Sequence, residues 1–83
     1  MKIEIYSKDN CPFCDMAIAY VEKAQRDPVN AEARSLQLEV FKLGEDFQRE
    51  ELMKKFPTAR TFPQITLDGN AIGGWDQLKT HSL

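Results

Sequence analysis

The sequence predicts an α/β fold in which a mixed four-stranded sheet is flanked by helices, in the element order βαβ-α-ββ-α. A strand pattern, a helix pattern and a second strand pattern follow one another between residues 2 and 40, which favours a parallel pair joined by a right-handed crossover. A second amphipathic helix pattern follows. Asp68-Gly69-Asn70 then separates two short apolar runs, and this strong hairpin signal extends the sheet with antiparallel strands.

The first strand and the first helix lie on either side of a short turn. Residues 2–6 alternate between polar and apolar side chains, with Ile3 and Ile5 on one face, and they run into a turn-forming cluster at residues 7–10. Pro12 suits a first helical position because its missing N–H would be unpaired there. We therefore expect a helix that begins directly after Cys11, with apolar side chains at helical spacing: Phe13, Ala17, Tyr20, Val21 and Ala24.

The middle of the chain supplies the second strand and the second helix. Residues 26–35 contain Pro28 and show no sustained pattern. Leu36, Leu38 and Val40 then alternate with polar residues, which predicts a half-buried strand that ends at Gly44. Residues 46–56 predict a helix that Pro57 closes. One face of that helix is apolar (Leu52, Met53 and Phe56), and the other is a solvated face with the pairs Glu50/Lys54 and Glu51/Lys55.

The C-terminal third predicts the hairpin and a short closing helix. Ile65 and Leu67 alternate in the third strand, and Ala71 and Ile72 begin the return strand. Gly73-Gly74 breaks it. Residues 75–81 are long enough for a closing helix with Leu78 pointing inward.

Length, composition and charge limit the classes of function. With 42% hydrophobic and 29% charged residues, the chain resembles an average globular protein, and its length allows one core, so we expect one domain over residues 1–83. A net charge of −2 without a basic run argues against nucleic-acid and membrane partners. Glu4 interrupts any apolar run that a signal peptide would need. We therefore expect a cytoplasmic protein. We also expect it to be a monomer.

The pair Cys11 and Cys14 carries the chemistry. A bridge between cysteines so close in sequence constrains the unfolded chain very little, so this spacing indicates redox or metal chemistry and not a structural staple. At the N-cap, the sulfur of Cys11 would meet unpaired N–H groups and the positive end of the helix dipole, which favour the nucleophilic thiolate. Cys14, one turn further, would resolve a mixed disulfide. Asp9 and Asp15 oppose the thiolate, and Lys8 counters them.

Two other interpretations of the cysteines remain open at this point. Free cysteines are commonly buried structural residues, although a CxxC between a first strand and a helix start is seldom accidental. A zinc site needs four ligands, and beyond one CxxC the chain offers a single histidine, His81, in the last predicted turn. Zinc would therefore require a dimer.

Three motifs in order resemble the glutaredoxin family over nearly the whole chain. Cys11-Pro12-Phe13-Cys14 is similar to the dithiol Cys-Pro-Tyr-Cys site, and Lys8 stands three residues before it, as the family's basic residue does. Thr61-Phe62-Pro63 resembles the Thr-Val-Pro segment, and the stretch Gly73-Gly74-Trp75-Asp76 resembles the Gly-Gly-aromatic-Asp segment. The resemblance implies a thioredoxin-like fold.

The resemblance also implies a site. Cys11 and Cys14 would be the catalytic pair, and Pro63 would be cis, whereas a trans proline opening a strand is the alternative. No cofactor or metal would be bound, and glutathione would be the reducing co-substrate. Lys8 would pair with its glycyl carboxylate, and Asp76 would take its ammonium. The implied glutathione-binding residues are Lys8, Phe13, Phe62, Pro63, Gly74, Trp75 and Asp76.

Without a ligand, Lys8 would be an ordinary solvated lysine, Asp76 a charge in the first turn of a helix, and Trp75 a core or rim aromatic residue. A further family contact from the second helix would fall near Arg49, which would help, or Glu50, which would repel.

The function implied is glutathione-dependent reduction of protein disulfides and glutathione mixed disulfides. The long connection at residues 26–35 resembles bacterial dithiol glutaredoxins that reduce ribonucleotide reductase, which makes that enzyme a candidate partner. A redoxin served by thioredoxin reductase and a non-catalytic binder of iron-sulfur clusters or zinc are the alternatives. Iron-sulfur glutaredoxins usually carry Cys-Gly-Phe-Ser, which differs from the motif here.

Overall fold

The computed structural model describes residues 1–27 and 35–81 and confirms the predicted order of elements. Residues 28–34, most of the connection predicted without a pattern, lie outside the described residues. The elements are β1 (Lys2–Ser7), α1 (Pro12–Gln25), β2 (Gln37–Lys42), α2 (Arg49–Lys55), β3 (Gln64–Leu67), β4 (Asn70–Gly73) and α3 (Trp75–Leu78).

The sheet is mixed and four-stranded, as predicted, with the strand order β2-β1-β3-β4. β1 pairs with β2 in parallel, and both β1–β3 and β3–β4 are antiparallel. The β3–β4 register shifts between Ile65 and Thr66. β1 is therefore an interior strand of the sheet. The loop that carries Cys11 follows the C-terminal end of this strand.

Packing occurs on both faces of the sheet because successive side chains of a strand point to opposite faces. Ile5 of β1 belongs to a cluster with residues of α1 and α3, whereas the next residue, Tyr6, belongs to a cluster with residues of α2. The first cluster consists of Ile3, Ile5, Ala17, Val21, Leu36, Ile65 and Leu78, and the second of Tyr6, Phe47, Leu52 and Phe56. The inward position predicted for Leu78 is confirmed, since it is fully buried.

The start predicted for the second helix is wrong by three residues, because the chain first makes a tight loop. The Asp46 carboxylate accepts a hydrogen bond from the Lys42 N–H at 2.9 Å, and the Gly44 N–H donates to the Phe47 carbonyl at 2.8 Å. These bonds compete with helix formation, so α2 begins only at Arg49. Met53, predicted on the apolar face, is 43% exposed.

The closing helix is shorter than predicted and ends at Leu78. The N–H groups of Thr80 and His81 bond to carbonyls three residues back, at 3.3 and 3.0 Å, which is the pattern of a tight final turn. His81 therefore lies beyond the helix. Within the part of the chain that the structure describes, no helix has the length and apolar character needed to span a membrane.

Candidate functional site

The cysteine motif is built where β1 turns into α1. Asn10 takes a φ of 53°, a left-handed conformation that asparagine adopts more readily than most residues. Cys11 follows as the N-cap of α1, and Pro12 takes the first helical position, as predicted. The Cys14 N–H donates to the Cys11 Sγ at 3.2 Å, so the sulfur does act as the helix cap.

Cys11 and Cys14 are joined in a disulfide, with their Cα atoms 5.2 Å apart. Both cysteines are largely buried, and Cys11 is the more accessible of the two, at 7% exposure against 1% for Cys14. An incoming sulfur or thiolate can therefore approach Cys11 more easily. This difference supports the predicted roles of an attacking Cys11 and a resolving Cys14.

One of the two carboxylates that oppose the Cys11 thiolate is paired. The Lys42 Nζ at the end of β2 lies 2.7 Å from Asp9 Oδ1. This hydrogen bond and the attraction of the same carboxylate raise the pKa of Lys42 above its ordinary value. Lys42 therefore stays charged and offsets part of the repulsion that Asp9 exerts on nearby anions. Asp15 lies in the first turn of α1, where the helix dipole favours it.

We expect the pKa of the Cys11 thiol in the reduced protein to lie well below the ordinary thiol value of about 8.5. The cause is the helix N-terminus that Cys11 caps, together with the cation of Lys8. Thiolate absorbance as a function of pH measures it, and Cys14 should titrate higher. A Cys11 midpoint at or above the free-thiol value would contradict the activation, and the charges of Asp9 and Asp15 would explain it.

A groove of about 300 Å³ contains most of the residues that the resemblance implied. The Phe62–Pro63 peptide bond is cis, which confirms the predicted isomer. The Gln64 side-chain amide donates to the Thr61 carbonyl at 2.7 Å and braces this loop. The groove is lined by Phe13, Thr61, Phe62, Pro63, Gly74, Trp75, Asp76 and Gln77. Phe13 is 56% exposed, so it faces the groove and solvent and not the core.

The glycine pair permits the close approach of β4 and α3 to the proline loop. Gly73 has a φ of 112°, which side chains rarely adopt. A Cβ on Gly74 would lie 3.1 Å from the Pro63 carbonyl oxygen, tighter than ordinary contact. A larger residue at Gly74 would therefore push the two walls of the groove apart, whereas one at Gly73 would strain the backbone.

Sequence reasoning missed Thr61 and Gln77 as groove residues. The Gln77 Oε1 accepts a hydrogen bond from the Gly74 N–H at 2.8 Å and so holds the start of α3. The signal was available in the sequence, because glutamine at the third helical position often reaches back to the N-cap N–H. This bond satisfies the Gly74 N–H. The N–H groups that follow it in the first turn have no intrahelical partner, as at the start of any helix.

Trp75 combines the two roles that the sequence left open. It packs against the core cluster of α1 and α3, and it also lines the groove. The ring of Tyr20 meets it edge to face at 5.7 Å between centroids, and the Tyr20 hydroxyl donates to the His81 carbonyl at 2.6 Å. These contacts connect the groove wall to α1, the helix that begins at the cysteine motif.

The cationic residues lie beside the groove. Lys8 places its Nζ 5.6 Å from the centroid of the Phe62 ring. Arg49, with Arg60, lines a smaller cavity that shares Thr61 and Phe62 with the groove, whereas Glu50 does not line it. Of the two α2 residues considered from the sequence, the structure therefore brings Arg49 to the site.

Asp76 is exposed, and its carboxylate lies 3.1 Å from the Lys79 Nζ. An exposed ion pair of this kind contributes little stability, so the carboxylate remains available to a ligand cation. Among residues 1–27 and 35–81, no three His, Cys, Asp or Glu side chains are grouped as a metal site.

A mixed sheet flanked by helices and a cysteine pair at the start of the first helix define a thioredoxin-fold redox protein. The sequence profile of the glutaredoxin family matches residues 3–72. The chain belongs to the glutaredoxin family, and its Cys11–Cys14 pair is a dithiol motif of the CxxC type.

Individual relatives agree with the family profile. The chain is 34% identical over 80 residues to glutaredoxin 3 of Escherichia coli K12, covering 92% of this chain and 80% of that protein. It is 33% identical over 81 residues to mitochondrial glutaredoxin-2 of Pongo abelii, covering 98% of this chain and 45% of that relative. The chain thus spans less than half the length of that protein.

The solved structure of reduced Escherichia coli glutaredoxin is similar, with a TM-score of 0.77 and 27% identity over 95% of this chain and 89% of that one.

Proposed function

We propose that the chain is a dithiol glutaredoxin that uses glutathione to reduce protein disulfides and glutathione mixed disulfides. One observation carries the proposal: six residues that the resemblance implied as glutathione contacts line a single groove beside the cysteine loop. These residues are Phe13, Phe62, Pro63, Gly74, Trp75 and Asp76. They come from three separate parts of the chain, so their convergence is a property of the fold.

The groove suggests how glutathione would bind. The backbone next to the cis proline would pair with the extended tripeptide, and Asp76 would take the ammonium of its γ-glutamyl end. The γ-glutamyl carboxylate would use the N–H groups of Trp75 and Asp76, because Gln77 engages that of Gly74. Lys8 and Arg49 would face the glycyl carboxylate on the other side of Phe62.

The chemistry follows from the two sulfurs. The Cys11 thiolate attacks the glutathione sulfur of a mixed disulfide, and the substrate leaves as a thiolate. A second glutathione thiolate then attacks the glutathione sulfur on Cys11, which forms glutathione disulfide and releases the Cys11 thiolate. With a protein disulfide, the Cys11 thiolate attacks one sulfur and the other leaves as a thiolate. The Cys14 thiolate then attacks the Cys11 sulfur of the mixed disulfide, which forms the Cys11–Cys14 bond and releases the second substrate thiolate. Two glutathione molecules reduce that bond and leave as glutathione disulfide. Glutaredoxin potentials of about −200 to −230 mV lie close to that of the glutathione pool.

The decisive assay compares two electron sources. Reduction of a small glutathione mixed disulfide should proceed with glutathione and glutathione reductase and should not proceed with thioredoxin reductase alone. The opposite result would identify a redoxin served by thioredoxin reductase. Visible absorbance and metal analysis of the purified protein would reveal an iron-sulfur or zinc protein.

The candidate protein partner is ribonucleotide reductase, whose active-site disulfide requires a dithiol reductant. Support comes from the Cys11–Cys14 pair and from the similarity to glutaredoxin 3 of Escherichia coli. The monomeric state and the cytoplasmic location inferred from the sequence stay predictions.

A further inference from the structure

The aromatic ring of Phe62 is the neighbour that the Lys8 ammonium faces. The Nζ lies 5.6 Å from the ring centroid, inside the distance of about 6 Å at which a cation is attracted by an aromatic face. The adjacent carboxylate, Asp9, is engaged by Lys42 at 2.7 Å. The contact therefore joins the loop before Cys11 to the loop before Pro63.

Phe62 is itself held by the core. Its ring stacks on that of Phe47, with centroids 6.5 Å apart and planes 28° from parallel. Phe47 is 5% exposed and belongs to the cluster of Tyr6, Leu52 and Phe56 on the α2 face of the sheet. The orientation of the Phe62 ring is thus set by buried packing, whereas Lys8 is an exposed side chain with many rotamers available to it.

The position of the Lys8 charge matters because several charged side chains line a cavity at Cys14, the disulfide partner of Cys11. The cavity that reaches Cys14 is lined by the charged residues Lys8, Asp9, Asp15, Lys42, Glu45 and Asp46. Four of these are carboxylates, and each disfavours a thiolate nearby. Since Lys42 is paired with Asp9, Lys8 is the remaining cation of this set.

We propose that Phe62 is a positioning residue for Lys8: its ring holds the ammonium between the cysteine loop and the groove, where the charge stabilises the Cys11 thiolate and attracts the glycyl carboxylate of glutathione. The second part of this role rests on the proposed function, and the first does not. The Thr-Val-Pro segment that residues 61–63 resemble has a valine where this chain has Phe62, so the aromatic ring is a feature of this chain.

The test is a double-mutant cycle in the full chain. Phe62→Leu keeps an apolar side chain and removes the aromatic face, Phe62→Tyr keeps the face and serves as the matched control, and Lys8→Gln removes the charge. Each is also made together with Cys14→Ser, so that Cys11 is the one thiol left in the protein. The first readout is the pH dependence of Cys11 alkylation, which requires no glutathione, and the second is the KM for glutathione.

Lys8→Gln and Phe62→Leu should both shift the pH midpoint of Cys11 alkylation upward. Phe62→Tyr should leave that midpoint unchanged. The KM for glutathione should rise about two- to five-fold in Phe62→Leu, the factor that corresponds to one exposed cation–π contact. In the Lys8→Gln background, Phe62→Leu should add nothing to the midpoint shift and less to the KM than it does beside Lys8, because the partner is already absent.

An equal midpoint shift from Phe62→Leu with and without Lys8 would overturn the proposal, since the ring would then act without the lysine. If Phe62→Leu does not fold, NMR of the unaltered protein tests the proposal instead. The ε-methylene protons of Lys8 should show an upfield ring-current shift from Phe62, and the absence of that shift would overturn the proposal. A protein that fails to turn over glutathione, yet shows the coupled midpoint shift, would refute the proposed function and leave the positioning role intact.

Discussion

Replacement of Cys11 with serine should reduce activity to the uncatalysed background in every thiol-disulfide assay. A serine hydroxyl is not ionised near neutral pH, so the helix N-terminus that Cys11 caps has no thiolate to stabilise. The thiol that remains, Cys14, is only 1% exposed and is poorly placed to attack a substrate. Met16→Ser is the matched control, because Met16 lies on the same helix, is 45% exposed and is not part of the proposed site. It should retain activity.

Cys14→Ser should separate two reactions that Cys11→Ser abolishes together. Reduction of a glutathione mixed disulfide should persist, since a second glutathione can release Cys11, whose sulfur is the more accessible of the two. Reduction of a substrate that needs a dithiol, such as the disulfide of ribonucleotide reductase, should fall to background. The measurement is the initial rate of each reaction with the same enzyme preparation.

Two results would contradict these roles. If Cys14→Ser loses both activities to the same extent, glutathione does not reach the mixed disulfide on Cys11, and the site proposed around Lys8, Phe62 and Asp76 is wrong. If Cys11→Ser remains active, the assignment of the nucleophile itself fails, and Cys14 becomes the candidate.

Asp76→Ala should raise the KM for glutathione while the Cys11–Cys14 disulfide still forms. Loss of a hydrogen bond to a charged ligand group costs about 1 to 3 kcal/mol, which corresponds to roughly five-fold to more than a hundred-fold in KM. The exposure of the Asp76 side chain favours the lower end of that range, because solvent screens the interaction. Steady-state kinetics at varied glutathione concentration measure the effect.

Lys79→Gln is the control for Asp76, since it breaks the same ion pair and leaves the carboxylate in place. It should not raise the KM, and the freed carboxylate should bind the glutathione ammonium at least as well. An unchanged KM in Asp76→Ala would assign Asp76 to the stabilisation of the α3 N-terminus alone.

Much of the candidate site was predictable because its residues lie in short motifs. Cys11 and Pro12 occupy the N-cap and the first helical position, as local sequence rules predict. Six of the implied glutathione residues do line one groove. Gln77 was missed although its spacing from Gly74 carried a capping signal, and Thr61 was missed because nothing in a single residue marks the wall of a cavity.

The errors in the elements have a different origin. The second helix was predicted to begin at Asp46, but the Asp46 carboxylate instead bonds to the Lys42 N–H and closes a loop. The third was predicted to reach His81, but its end turns tightly after Leu78, where the Tyr20 hydroxyl from α1 bonds to the His81 carbonyl. A local loop thus decided where the second helix starts, whereas a side chain from another segment contacts the chain just beyond the end of the third.

The amino-acid sequence by itself determined the strands, the helices, the hairpin and the cysteine at the helix N-cap, because each depends on residues within a few positions of one another. Only the tertiary structure decided which distant side chains meet: Lys8 with Phe62, Tyr20 with Trp75, and Arg49 and not Glu50 beside the groove. The strand order β2-β1-β3-β4 brings these segments together, and no local pattern specifies contacts between residues so far apart in the chain.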